Sequence, residues 1–590
     1  MSLSVLSQFR MRRLQWMLYL AMLALGVGLA RLQLWQGELY REKSDRNRIR
    51  LLIQLAERGR ILDTQGRVLA SDRTALDVLV LPQQSGERAE VAAKLSTLLG
   101  IPSEELLRVY KRNYEAPFVP VPLVRDLRVP QAAAVEESWL DLPGVFVRPR
   151  PQREYPYGAS TAHAVGYVGR ITREEYRKWV EYGYRPRDLV GRAGVEARYD
   201  SYLRGREGGQ QVEVDNRSRM VRILGERPST PGKEITLTLD AELQELLSAQ
   251  MHEMAGAAVV LNCRTGAVLA LVSVPGFDSN LFSLAATGSQ YHDVALRENQ
   301  LSALFQDPGI PLLPRAVAGE YPLGSIQKVL VGAVGLHLHE FDANTRVTCR
   351  GSLQLGNQTF RCWYERGHGP VNLQSALEHS CNIYFYELGR RIGIRRLSVW
   401  AGHFGLGRAP GLMPGEEKSG LFPDRQWKRA ELGEPWYEGD TLNVSIGQGA
   451  VLATPVQAAC MIAAVANGGY LPQPYLLQAI EGMDVTDPVL RPVGIGDEVF
   501  REAREGMRRA VESEQGTGQH AFVAKGLTAG KTGTVQVPQG SPHGWFVGFS
   551  PVDDPQWAIA VLVEHAGQGG GAPAVLGHQI VQYLNDAGYL

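Results

Sequence analysis

At 590 residues with 44% apolar side chains, the chain is too long for one domain of ordinary size and too apolar for large-scale disorder. Its 62 basic and 62 acidic side chains cancel, which gives no support for a nucleic-acid partner. Five Cys over this length exclude a disulfide scaffold.

Residues 1–13 carry Arg10, Arg12 and Arg13 and no acid, and a mostly apolar run follows from Leu14 to Ala30. A bilayer span needs about 20 residues. Arg31 can snorkel and Trp35 can sit at the headgroups, so a single transmembrane helix over 14–34 is expected. The charge on 1–13 favours a cytoplasmic tail, with the rest of the chain outside the cytoplasm. The far flank is basic too, through Arg41, Lys43, Arg46, Arg48 and Arg50. A cleaved signal peptide ending at the small residues Gly28 and Ala30 is the alternative.

In residues 35–230, strand signals such as Ala75–Leu81 alternate with helical ones such as Ala89–Leu99. The polar stretch Glu226–Glu234 holds two prolines and reads as a linker into a second domain, 231–590. There Ile235–Leu239 alternates like a strand and Ala241–Met254 reads as a helix. A strand hairpin covers 257–273 with its turn at Arg264-Thr-Gly266. A helix starts near Ser325, and another spans Leu373–Arg390. Two strands, Trp545–Phe549 and Trp557–Glu564, precede a final helix. Strands separated by a long helical middle give an α+β class with an antiparallel sheet flanked by helices.

Three short patterns occur in order: Ser325-Ile-Gln-Lys328, Ser380-Cys-Asn382 and Lys531-Thr-Gly533. No other of the ten Lys has Ser three positions before it, and no other Ser has Asn two positions after it. Ser325 and Lys328 share one face at a helix start. A hydroxyl is a poor nucleophile until a base takes its proton, and a desolvated Lys can be that base. The helix N-terminus adds positive potential beside a developing oxyanion. Ser380 can relay the proton to a leaving amine, and Asn382 can hold a substrate amide. Lys531, Thr532 and Thr534 offer a cation and hydroxyls to a carboxylate, and the N–H groups of Ser325 and Thr534 offer an oxyanion hole. Taken alone, the first pattern also fits an N-cap Ser and a surface Lys. Lys418-Ser-Gly420 competes for the third pattern, but Pro414, Gly415 and Pro423 mark it as loop, whereas Lys531–Val537 alternates as a strand.

These three patterns together resemble those of penicillin-binding proteins and related β-lactamases. The likeness to class B penicillin-binding proteins runs nearly end to end. It includes Arg58–Ala70, Gly194–Tyr199 with Leu203-Arg-Gly205, Thr236–Asp240, Thr265–Ala270 and Ser445–Gly449. Within that class, Gly356–Trp363 and His543–Pro551 resemble the elongation type, penicillin-binding protein 2, with the division type the close alternative. The resemblance implies a membrane anchor, an elongated pedestal (dimerisation-like) domain and a β-lactamase-like transpeptidase domain. It further implies a D-Ala-D-Ala transpeptidase that is acylated at Ser325 and is a β-lactam target. A RodA-like membrane glycosyltransferase is the implied partner. Residues 36–230 lack a Glu-Asp-x-x-Phe-x-x-His-x-Gly pattern, against the bifunctional class. A carboxypeptidase or β-lactamase-like hydrolase, or mainly an activator of the polymerase, remain alternative readings.

Cys349, Cys362 and Cys381 fall within 33 residues, with His368 among them. Three thiolates and an imidazole make a closed tetrahedral zinc set. The resemblance implies such a zinc near the active site, with His368 and Cys381 matching two of the family's ligands. Cys349 and Cys362 stand where the family has acids. A Cys349–Cys362 disulfide and free thiols are the alternatives. Cys263 and Cys460 lie in apolar surroundings and read as core residues.

Overall fold

The computed structural model describes residues 3–38, 40, 49–117, 119–186, 188–215, 220–287 and 294–590. Arg41, Lys43, Arg46 and Arg48 of the basic far flank lie outside the described residues. The N-terminal run forms one helix, Leu3–Ala30, continued by a wider π turn over Arg31–Trp35. Within it Arg13–Trp35 is long and apolar enough to cross a membrane, by length and composition, and none of it is buried against protein.

The chain divides into two compact units that interleave along the sequence. One holds Met1–Ala56, Ala75–Arg150 and Arg206–Thr230; the other holds Glu57–Thr74, Pro151–Gly205 and Pro231–Leu590. In the first unit, Ile49–Gln54, Gly208–Val214 and Met220–Arg227 form a three-stranded antiparallel sheet. A separate core in the same unit packs Leu95, Leu106 and Tyr110, from helices Arg88–Leu99 and Ser103–Asn113, on Val78, Val80 and Val121. The first of these helices stops at Gly100, whose φ of 70° suits the left-handed C-terminal cap that glycine adopts without steric cost.

The second unit is built on α1 (Ala241–Gln250), β1 (Gly256–Asn262), β2 (Val268–Val274), α2 (Lys328–His337), α3 (Asn382–Ile392), α4 (Pro455–Ala466), β3 (Ala529–Val535), β4 (His543–Ser550), β5 (Trp557–Val563) and α5 (Ala572–Asp586). The strands form one antiparallel sheet in the order β2-β1-β5-β4-β3. Ala257, Val259 and Leu261 of β1 belong to the core shared with α4, while Ala258 and Val260 belong to the core shared with α1 and α5. Both faces are covered, so β1 reads as an unbroken apolar run rather than an alternating one.

Two local expectations need correction. Leu373–Arg390 is not one helix: Leu373–Glu378 ends, and α3 starts afresh at Asn382. Ser380, between them, has a φ of 53°. The apolar periodicity hides this break because the left-handed residue is a serine, with no glycine to signal it. The helix expected over Ala241–Met254 stops at Gln250, where Met251 leaves helical geometry.

Candidate active site

Ser325 lies in a single 3-10 turn, Gly324–Gln327, that runs directly into α2. A 3-10 turn has three residues per turn, so Ser325 and Lys328 eclipse one another. The turn is pressed against β3. A Cβ on Gly324 would lie 2.9 Å from Val535 Cγ2 and 3.0 Å from Thr534 O, and Gly324 has a φ of 56°. From the other side, a Cβ on Gly533 would lie 3.1 Å from Ile326 Cγ2. These two glycines let the Ser325 turn and the strand approach each other.

Lys328 is wholly buried, which removes the surface-lysine reading. Its Nζ donates to Ser380 O at 2.9 Å, Ser380 Oγ at 3.3 Å and Asn382 Oδ1 at 2.6 Å. Lys531, equally buried on β3, donates to Ser380 Oγ at 2.9 Å and to Thr532 O at 2.9 Å. Ser380 Oγ therefore joins the two amines. The left-handed backbone of Ser380 costs about 1–2 kcal/mol for a residue with a Cβ. It aims both the carbonyl and the hydroxyl of one residue at Lys328. Asn382 also donates through Nδ2 to Arg361 O at 3.2 Å.

The electrostatics lower the proton affinity of both amines. Burial draws Lys328 down to about 8, against a smaller upward pull from Cys381 and Cys362. Burial and the charge of Lys328 hold Lys531 well below the ordinary lysine value. Among the described residues, neither lysine pairs with a carboxylate. All three sequence patterns thus converge, although far apart in the chain. Lys418, the rival for the third, sits in coil and donates its backbone N–H to Val317 O at 3.0 Å.

One contact carries no signal in the sequence patterns. Thr532 Oγ1 donates to Thr517 Oγ1 at 3.0 Å, and Thr517 N–H reaches Glu378 O at 3.4 Å. Only the Gly516-Thr-Gly518 turn marks this position in the sequence.

The four Cys and His residues also come together. The ribbon Val347–Cys349 with Gly369–Val371 sets Cys349 opposite Gly369, next to His368. Cys381 is the N-cap residue of α3. Ligand atoms of Cys349, Cys362, His368 and Cys381 all lie within 4.8 Å of one another. A tetrahedron with metal–sulfur arms of about 2.3 Å has edges of about 3.8 Å, so the set fits a zinc ion after a small contraction. All five cysteines are free, so the alternative Cys349–Cys362 bridge is not formed. Hydrogen bonding from Cys381 draws the Cys362 and Cys349 thiols down, while Cys381 itself is pushed up. Two thiols inclined toward thiolate, a third sulfur and an imidazole are donor chemistry that suits a soft divalent ion. Cys263 and Cys460 are buried core thiols, both pushed up by burial.

Comparison with known proteins identifies relatives of the whole chain. Residues 256–582 match the family described as penicillin binding protein transpeptidase domain, and residues 53–237 match penicillin-binding protein dimerisation domain. The peptidoglycan D,D-transpeptidase MrdA of Acinetobacter baumannii is 35% identical over 588 residues, covering 96% of this chain and 85% of the relative. Penicillin-binding protein PBP2 of Helicobacter pylori, solved in complex with MreC, superposes with a TM-score of 0.79 at 27% identity. That match covers 92% of this chain and 99% of the neighbour. A chain from a peptidoglycan synthase complex, solved to show how polymerisation and crosslinking are coordinated, matches with a TM-score of 0.72 at 33% identity, covering 97% of this chain and 98% of that one.

Proposed function

This chain belongs to the class B penicillin-binding proteins of the elongation type and is a serine peptidoglycan D,D-transpeptidase, and on that premise we propose that Ser325 is its nucleophile. The observation that carries this is the convergence of Lys328, Ser380 and Lys531 on one hydrogen-bonded cluster beside the Ser325 turn.

Neutral Lys328 takes the Ser325 Oγ proton as the oxygen attacks the carbonyl of the penultimate D-Ala. The N–H groups of Ser325 and Thr534 receive the oxyanion. Ser380, hydrogen-bonded to both amines, passes a proton to the departing D-Ala nitrogen as the C–N bond breaks. The resulting ester on Ser325 is attacked by the amine of a second stem peptide, which regenerates the hydroxyl. Lys531, Thr532 and Thr534, with the close approach that Gly533 allows, hold the substrate carboxylate, and Asn382 the substrate amide. A β-lactam acylates the same oxygen. Labelling with a fluorescent penicillin tests the assignment: Ser325→Ala is expected to lose all label while its melting temperature stays near wild type. A band on that variant would reject it.

Functionally we divide the chain into a cytoplasmic tail (1–13), a transmembrane helix (14–34), a pedestal (35–230) and a transpeptidase domain (231–590). The apolar helix spanning Arg13–Trp35 and the family support a cytoplasmic-membrane anchor with the catalytic unit outside. Likeness to the peptidoglycan synthase complex supports a RodA-like glycosyltransferase as partner. Cys349, Cys362, His368 and Cys381 would hold zinc. Held by four protein ligands, such an ion would be structural and would pin the segment that carries Ser380, leaving acyl transfer to the serine and lysines. Protein purified without chelator is expected to hold one zinc per chain, and a strong chelator to lower its melting temperature. Absence of bound zinc at purification would end this reading.

A further inference from the structure

We propose that Gln448 is a positioning residue for acyl transfer, holding the Thr534 peptide so that its N–H and that of Ser325 point at one oxyanion. The inference rests on Ser325 as the nucleophile and goes beyond it, to what aligns the two donors.

Gln448 belongs to a short segment, Val444–Gln448, that meets all three catalytic walls. At the nucleophile turn, Gly324 N–H donates to Gly447 O at 2.8 Å, and Gln327 Nε2 donates to Val444 O. A Cβ on Gly447 would lie 2.2 Å from Gly324 O, and its φ is 72°, so only glycine permits this approach. At α3, a Cβ on Gly389 would lie 1.7 Å from Ser445 Oγ. At β3, Gln448 Nε2 donates to Thr534 O at 3.3 Å. Consecutive residues, 447 and 448, thus tie the residue before Ser325 to the strand that carries Thr534.

The last contact also fixes where the Thr534 N–H points. In an antiparallel pair, a residue directs its N–H and its C=O to the same side. Thr534 sits opposite Gly544 on β4, yet its carbonyl is taken by Gln448 and so faces away from β4. Its N–H faces the same way, toward the Ser325 turn, whose Gly324 lies against Thr534 O. A side-chain amide on that carbonyl sets the tilt of the peptide plane, and with it the aim of the N–H. A small misalignment of such a donor is worth a large factor in rate, because the charge it meets exists only in the transition state.

The test uses the full-length protein and two variants, Gln448→Met and Gln448→Glu, which keep the side-chain length but remove the amide donor. Acylation by a fluorescent penicillin is resolved into the encounter constant and the acylation rate constant. We expect the rate constant to fall about 10- to 100-fold, with the encounter constant within about twofold and the melting temperature unchanged. Affinity for a peptide boronic acid, whose tetrahedral adduct places an oxygen between the two N–H groups, falls by the same factor. A side chain that merely supported the fold would not link these two losses. An unchanged acylation rate constant in both variants overturns the proposal, as does a change in the encounter constant alone. Failure of the underlying nucleophile assignment is distinct: label would then persist on Ser325→Ala.

Discussion

Replacing Lys328 with Met is expected to slow acylation by a fluorescent penicillin about a thousandfold, the scale of a lost general base. The side chain keeps its length and its apolar packing but has no nitrogen to accept the Ser325 proton. With Lys328 as the proposed base, its titration is expected to set the pH profile of the wild type. Burial draws Lys328 down to about 8. Below that value the amine is protonated, and its three N–H groups are spent on Ser380 O, Ser380 Oγ and Asn382 Oδ1. The acylation rate therefore rises with pH, roughly tenfold per unit, and levels off above about 8. Lys531 shares Ser380 with Lys328, so the profile reports the pair rather than one residue. A rate that stays flat between about pH 6 and 9 in the wild type, with retained activity in Lys328→Met, would remove Lys328 as base.

Glu196→Ala is expected to destabilise the catalytic unit by about 3–5 kcal/mol, the cost of breaking a buried ion pair from one side. Glu196 is wholly buried and receives Arg153 Nε at 2.7 Å and Arg58 Nε at 2.6 Å. Arg58 also reaches Asp200 at 2.7 Å, and Arg153 reaches Asp72 at 3.3 Å. Without the carboxylate, two buried guanidiniums lose their central partner. Burial alone would raise the Glu196 carboxyl, but Arg153 and Arg58 overcome it and hold it below its ordinary value of 4.5. The stability it supplies is complete above that ordinary value and is lost as pH falls through the lower folded value. Urea denaturation at neutral pH measures the difference. A midpoint within error of wild type would show that the network contributes little.

That network joins two family-like stretches that were legible in the sequence far upstream of Ser325. Arg58 comes from the first of these stretches and Glu196 from the second, and each is held by charge burial, while Arg153, Asp72 and Asp200 lie outside both. The catalytic patterns were legible because each needs particular side chains at a fixed local spacing. The geometry that unites them was not. Ser380 takes a left-handed backbone with no glycine to announce it. Gln448 was part of a recognised motif, but its hydrogen bond to Thr534 O spans 86 residues. The interleaving of the two units was hidden too. It arises from long-range pairing such as Ile61 beside Ile235, which no local periodicity records. The cysteine cluster was visible as composition, and the ribbon that sets Cys349 opposite Gly369 supplied the missing proximity.

The position of β3 at the margin of its sheet has a consequence for what the enzyme can recognise. A marginal strand can present main-chain groups to an extended chain that lies alongside, although on β3 Lys531 and Gln448 already reach the Thr532 and Thr534 carbonyls. A stem peptide laid there would be gripped through its own backbone, whatever side chains it bears. Such a grip would be indifferent to stem-peptide side chains, leaving selectivity to the groups around Ser325.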